Sequence, residues 1–251
     1  MESIIQQGHN PVAHRSIFEA RETLKRILAK HFEGEFTGLY QENHEKGEYK
    51  LDNTSIGKRS LKMTALGFLA VLGKDEHFSL LKGQREKAGN MTDEISALSL
   101  LCRYANPYKD QNVQDFYQKW SHDTLVMQKW LSAQASSPMD ETYQRVLDLQ
   151  SDPVYDVNIP NLVRSLVGSF ARNTYQFHHP SGRGYEFVAD RVAQLDKINP
   201  QVASALAGVF RDYKRLKPEH KDLMGKELAK LRDLKGLSKN TYEIVTKILG
   251  H

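Results

Sequence analysis

In the stretch Ile17-Phe18-Glu19-Ala20-Arg21-Glu22-Thr23-Leu24-Lys25-Arg26-Ile27-Leu28-Ala29-Lys30-His31-Phe32, the pattern is carried by the apolar residues at 17, 18, 20, 24, 27, 28 and 32. Steps of three and four gather them on one face of a helix and leave the other face to charge. Leu61, Ala65, Phe68, Leu69 and Leu72 repeat the spacing, and Gly73 supplies a C-terminal stop. A third helix is predicted to start near Thr92 and Asp93, whose side chains suit free N–H groups. It carries Ile95, Leu98, Leu101 and Cys102 and ends before Pro107. Further helices are predicted over 111–121, 124–135 and 139–149, the last after Ser137-Pro138.

The second half repeats the device. Pro160, Pro180, Pro200 and Pro218 fall about twenty residues apart, each shortly before an apolar-periodic segment: 162–170, 185–195, 202–210 and 223–234. A last helix is predicted over 241–249, with Ser238 as its cap. Val154-Tyr155-Asp156-Val157 alternates, but it is short and stops at Pro160. Two helices per roughly forty residues is the period of stacked helical hairpins. The expected fold is all-α: a superhelical array of stacked helix pairs, an ARM/HEAT-like α-solenoid, forming one domain over 1–251.

Composition narrows the function classes. Of 251 residues, 26% are charged and 39% hydrophobic, which is too apolar for intrinsic disorder. No run of about 18 apolar residues predicts a membrane helix, and Met1–Gln7 shows no secretory leader pattern. The net charge of +4, mixed in sign, does not argue for nucleic acid. Arg211, Lys214, Arg215 and Lys217 form the strongest basic patch, diluted by Asp212, Glu219 and Asp222, and read as a solvated helix face. The lone Cys102 excludes an internal disulfide and fits a cytoplasmic location.

Catalytic motifs are mostly missing. His44-Glu45-Lys46-Gly47-Glu48 is the nearest string to a zinc-binding His-Glu-x-x-His, but its fifth residue is Glu, and it reads as a charged turn. His178-His179 would be a poor ligand pair, since adjacent side chains entering a turn seldom share a metal. No nucleophile elbow, P-loop or dinucleotide fingerprint occurs. Ser181-Gly182-Arg183-Gly184 reads as a turn before a helix. Cys102 reads as a buried thiol, and Trp120 and Trp130, which flank His122-Asp123, as packing aromatics. Residues alone support a scaffold or binding surface.

Several strings resemble the C-terminal domain of bacterial aminopeptidase N, a zinc metallopeptidase family. Asn90-Met91-Thr92-Asp93 resembles the family's N-N-M-T-D, with Gly89 in place of the first Asn. Lys119-Trp120, Leu125-Val126-Met127-Gln128-Lys129-Trp130 and Gln134-Ala135-Ser136-Ser137-Pro138 follow. Next come Asn161-Leu162-Val163-Arg164-Ser165-Leu166-Val167-Gly168-Ser169-Phe170, Phe177-His178 and Gly184-Tyr185. Asn199-Pro200-Gln201-Val202-Ala203-Ser204 and Leu237-Ser238-Lys239-Asn240-Thr241-Tyr242-Glu243 complete the set, in the family's order.

The resemblance implies a non-catalytic cap that encloses the zinc site of a preceding domain, limits peptide access and touches substrate beyond the cleaved bond. The family's H-E-x-x-H and G-x-M-E-N motifs belong to that preceding domain and do not occur here. This chain is therefore expected to hold no metal or catalytic residue and to be inactive alone. It would be a C-terminal domain lacking its first helices, partnered by the catalytic domain of the same polypeptide and by peptide substrates. The one zinc is expected in that other domain. The substrate contacts carried over are Arg164 and Gln201. A guanidinium can hold a carbonyl or carboxylate through two donors, and a helix start after Pro200 offers free N–H groups. An intradomain salt bridge is the alternative for Arg164, and an ordinary first-turn position for Gln201. Relatives carry an arginine where this chain has Ala205, which implies weaker charge recognition. The alternative function is a free-standing helical-repeat scaffold that binds a protein or peptide.

Overall fold

The structure is a computed structural model that describes residues 2–44 and 49–250. The His44–Glu48 string, compared above with a zinc motif, falls largely outside the described residues. The helices of the first half are α1 (Glu2–Gln7), α2 (His14–His31), α3 (Glu33–Glu42), α4 (Asn53–Ala70), α5 (Asp75–Glu86), α6 (Met91–Arg103), α7 (Lys109–Trp120) and α8 (Thr124–Ala135). Then follow α9 (Thr142–Leu149), α10 (Pro160–Val163), a π-helical turn (Arg164–Gly168), α11 (Ser169–Arg172), α12 (Thr174–Phe177), α13 (Arg183–Asp196) and α14 (Pro200–Ala207). A 3-10 turn (Gly208–Arg215), α15 (Pro218–Arg232) and α16 (Lys239–Leu249) finish the chain. No strand forms among the described residues; Val154–Val157 adopts turn and irregular backbone. The all-α reading therefore holds.

Local chemistry sets the boundaries. Asn90, not Thr92 or Asp93, caps α6: its side chain accepts from Asp93 N at 2.9 Å. Asp123 caps α8 by accepting from Leu125 N and Val126 N. Ser238 caps α16 as predicted. The helix expected from 139 starts only at Thr142, and the one expected over 202–210 gives way to the 3-10 turn after Ala207. Gly182 precedes α13 with a φ of +76°, a conformation that favours glycine.

The chain divides into two compact units, Met1–Glu19 with Asp140–His251, and Ala20–Met139. In the Ala20–Met139 unit, α3 packs on α4, α5 on α6, and α6 on both α7 and α8. Its core holds Tyr40, Leu66, Leu69, Phe78, Leu81, Ala97 and Leu101. Cys102, on α6, is also buried. Trp130 is buried and donates to Val113 O at 3.0 Å, so it packs as predicted. In the other unit α13 is central, packing on α12, α14 and α15. Phe177 meets Tyr185 and Phe210 with ring centroids 5.1 and 5.5 Å apart.

Candidate functional site

Both substrate contacts implied by the resemblance lie on the surface. Arg164 opens the π-helical turn, a wider coil that recurs at functional sites. It is exposed, and its Nη1 donates to Asn161 Oδ1 at 2.9 Å, an amide rather than the carboxylate of a salt bridge. Gln201 is exposed in the first turn of α14, where Asn199 caps the helix by accepting from Val202 N at 3.2 Å. Ala205, one turn on, is also exposed. The π-helical turn packs on α9, α10 and α11, whereas α14 packs on α13, α16 and the 3-10 turn. No hydrogen bond joins Arg164 to Gln201 among the described residues.

A more enclosed site lies in the same unit and was not legible as a motif. A cavity of about 60 Å³ is lined by Val12, Ala13, His14, Arg15, Ser16, His178, Lys217 and His220. The His14 and His178 rings stack in parallel, 3.7 Å between centroids. His178 Nδ1 lies 2.8 Å from Tyr185 Oη, and the same Oη lies 3.1 Å from His220 Nδ1. A phenol has one proton, so it donates to one imidazole and accepts from the other. The two neutral histidines must then be opposite tautomers. Neither ring nitrogen of His14 has a hydrogen-bond partner, although the residue is only 6% exposed.

Burial dominates the electrostatics here. It pulls His14 down to about 4, against the opposing pull of Asp212. Burial also lowers His178 well below the usual histidine value, and His220 too, and it raises Tyr185. At neutral pH all three imidazoles are uncharged. Arg15 is held over the Tyr175 ring at 3.7 Å. Of the basic patch, Arg215 donates to the carbonyls of Gln6 and His9 and pairs with Asp212, while Lys217 is exposed at the edge of the cavity it helps line. His179 accompanies Ser181 rather than sharing a ligand with His178.

Among the described residues, Glu33, Glu76 and His77 stand close enough together to hold a metal ion. Lys74 Nζ already lies 2.5 Å from Glu33 Oε1 and 3.7 Å from Glu76 Oε1. Its ammonium takes the place a cation would need, so these residues do not fit a zinc centre.

The fold and these surfaces define an all-α chain of the helical-repeat class. The chain belongs to the family described as domain of unknown function (DUF3458_C) ARM repeats, whose model matches residues 1–250. It is 35% identical over 244 residues to aminopeptidase N of Escherichia coli (strain K12), covering 96% of this chain and 27% of that protein. Aminopeptidase N of Haemophilus influenzae is 34% identical, with 93% and 27% covered. That of Caulobacter vibrioides is 32% identical, with 94% and 27% covered. Among solved structures, Legionella pneumophila aminopeptidase A in complex with aspartic acid superposes with a TM-score of 0.89 at 26% identity, over 99% of this chain and 30% of that one. The chain thus spans about a quarter of the length of the curated relatives it matches, in their C-terminal region. The resemblance to the C-terminal domain of aminopeptidase N holds. No helix among the described residues is long and apolar enough to cross a membrane.

Proposed function

We propose that this chain is the non-catalytic C-terminal capping domain of an aminopeptidase N, enclosing the active site of a preceding domain and gating peptide access to it. The observation that carries this reading is coverage: nearly all of the chain matches about a quarter of each relative. The catalytic domain of the same polypeptide is the proposed partner, and the location is cytoplasmic. Zinc, bound in that other domain, would polarise a water and the scissile carbonyl. The residues here contribute binding: Arg164 as a donor fork for a downstream carbonyl or carboxylate, Gln201 as an amide at a helix start. An exposed apolar stripe supports docking against further polypeptide. Leu24, Ile27, Leu28 and Phe32 on and just after α2 are 57%, 60%, 37% and 41% exposed.

The test uses the polypeptide in which this chain follows the catalytic domain. Arg164→Ala and Gln201→Ala are expected to raise KM for tripeptides roughly tenfold, the worth of one charge-assisted hydrogen bond. Hydrolysis of an aminoacyl chromogenic substrate, which has no downstream peptide, stays unchanged. The 251-residue chain alone is expected to show no turnover. Chelator-sensitive hydrolysis by that chain, or variants indistinguishable from wild type on tripeptides, would refute the proposal.

A further inference from the structure

We propose that Arg172, which shares one helix row with Arg164, binds a carboxylate of the peptide substrate and makes peptides with a carboxylate close to the cleaved bond the preferred substrate class. The inference rests on the capping reading above and adds to it a residue that decides specificity.

The row comes from an irregularity of the helix. Eight residues along a straight α-helix drift about 80° off a common face. Here the first steps fall in the π-helical turn, Arg164–Gly168, whose wider coil counters that drift, and the rest fall in α11, Ser169–Arg172. Helical side chains lean toward the N-terminus, so Arg172 reaches back over Gly168. Its Nη1 and Nη2 lie 3.4 and 3.7 Å from the position a Gly168 Cβ would take, and Arg164 Cβ lies 3.8 Å from that same position. Gly168 is buried, so its missing side chain leaves a notch in which one guanidinium beds beside the stem of the other arginine.

Neither guanidinium meets a carboxylate. Arg164 donates through Nη1 to the side-chain amide oxygen of Asn161, and among the described residues Arg172 has no hydrogen bond or ion pair. Arg85, Arg103, Arg215 and Arg232, by contrast, each stand 3.5 Å or less from an acidic side chain. Like charges on one helix row repel, so folding gains nothing from this juxtaposition. Both residues are exposed, and their unspent donors are open to a ligand.

The chemistry selects a carboxylate. A guanidinium matches one through two parallel N–H···O bonds. Arg172 is also held against the helix before anything binds, which lowers the cost of ordering its long side chain. With Arg164 on a carbonyl or carboxylate of the bound peptide, the next anionic group along the row falls to Arg172. That group is either an acidic side chain or the C-terminal carboxylate of a short peptide, and the two are separable.

The experiment uses the polypeptide in which this chain follows the catalytic domain, with three substrates: alanyl-alanyl-glutamate, alanyl-alanyl-glutamine and the C-terminal amide of the latter. The glutamate-to-glutamine ratio of kcat/KM reports the side-chain carboxylate, and the acid-to-amide ratio of the glutamine peptide reports the C-terminal one. Arg172→Gln is expected to lower at least one ratio about three- to tenfold, between the worth of an exposed ion pair and that of a charge-assisted hydrogen bond. Which ratio falls identifies the carboxylate. The loss is expected in KM, because a contact remote from the cleaved bond is made alike in ground and transition states. Arg172→Lys keeps the charge but not the fork, and is expected to restore part of the preference. A merely structural role would move all three peptides together and leave both ratios alone. Arg164→Ala is measured on the same panel. If it raises KM for the tripeptides while Arg172→Gln leaves both ratios unchanged, this inference is wrong and the capping reading stands; if neither substitution changes anything, both are wrong.

Discussion

Gly184→Ala and Gly83→Ala make the same chemical change in two helices and should move stability in opposite directions. Alanine is the better helix former by about 1 kcal/mol, so propensity alone predicts a gain at both sites. Gly83 lies inside α5, and a Cβ built there meets nothing within 4 Å. Its substitution should stabilise by about 0.5–1 kcal/mol. Gly184 lies in the first turn of α13, where a Cβ would sit 2.7 Å from Gln176 O and 2.8 Å from Phe177 Cα, and closer still to Phe177 O. Ordinary contacts start near 3.4 Å. The struck atoms are backbone of α12, whose Gln176 and Phe177 are buried, so no flexible side chain can yield. Overpacking of this kind costs about 1–3 kcal/mol, and rigid neighbours place it at the upper end. Net of the propensity gain, Gly184→Ala should destabilise by about 2 kcal/mol. Urea unfolding followed by circular dichroism would show its midpoint falling while that of Gly83→Ala rises. A Gly184→Ala protein as stable as wild type would refute the close-approach argument.

Acid should weaken the histidine cluster. Folding lowers His14 from 6.5 to about 4, so between those values the unfolded chain binds more protons than the folded one. Stability is then complete above about pH 6.5 and is lost as the pH falls towards 4, by up to about 3 kcal/mol from His14. His178 and His220 shift the same way. Urea midpoints across this range should fall with pH, and His14→Phe should flatten the slope; equal slopes would count against the assignment. Lys62 is 3% exposed and pairs with Asp93 at 2.8 Å, so Lys62→Met should cost about 3–5 kcal/mol by stranding a buried carboxylate. Most of that loss should be recovered in Lys62→Met/Asp93→Leu, measured by the same denaturation. Asp196 accepts from Ser238 N at 2.6 Å, Ser238 Oγ at 2.6 Å and Thr241 Oγ1 at 2.5 Å, tying the end of α13 to the start of α16. Asp196→Ala should cost about 2–3 kcal/mol and raise amide exchange in α16; unchanged exchange there would show that the tie is dispensable.

Helix identity was largely written in the sequence, because side-chain period and capping chemistry are local. Spacing alone placed α8 at its observed limits, and the Ser238 cap and the Gly73 stop were also readable. Short elements without a clean apolar face escaped: α3, α5 and α12 fall where the spacing rule sees no stripe. Arg164 and Gln201 came from ordered strings rather than from physics, and the structure adds their exposure and local hydrogen bonds.

The histidine cavity belonged wholly to tertiary structure. His14 stands 164 positions before His178 and 206 before His220, and no motif links them. Each alone reads as an ordinary polar residue of a helix end or turn. Only folding stacks two of the rings and bridges two through Tyr185. Sequence fixes what depends on neighbours three or four residues away. Proximity between distant segments depends on which apolar faces bury one another, and so does every property that follows from it: burial, unpaired donors and shifted protonation.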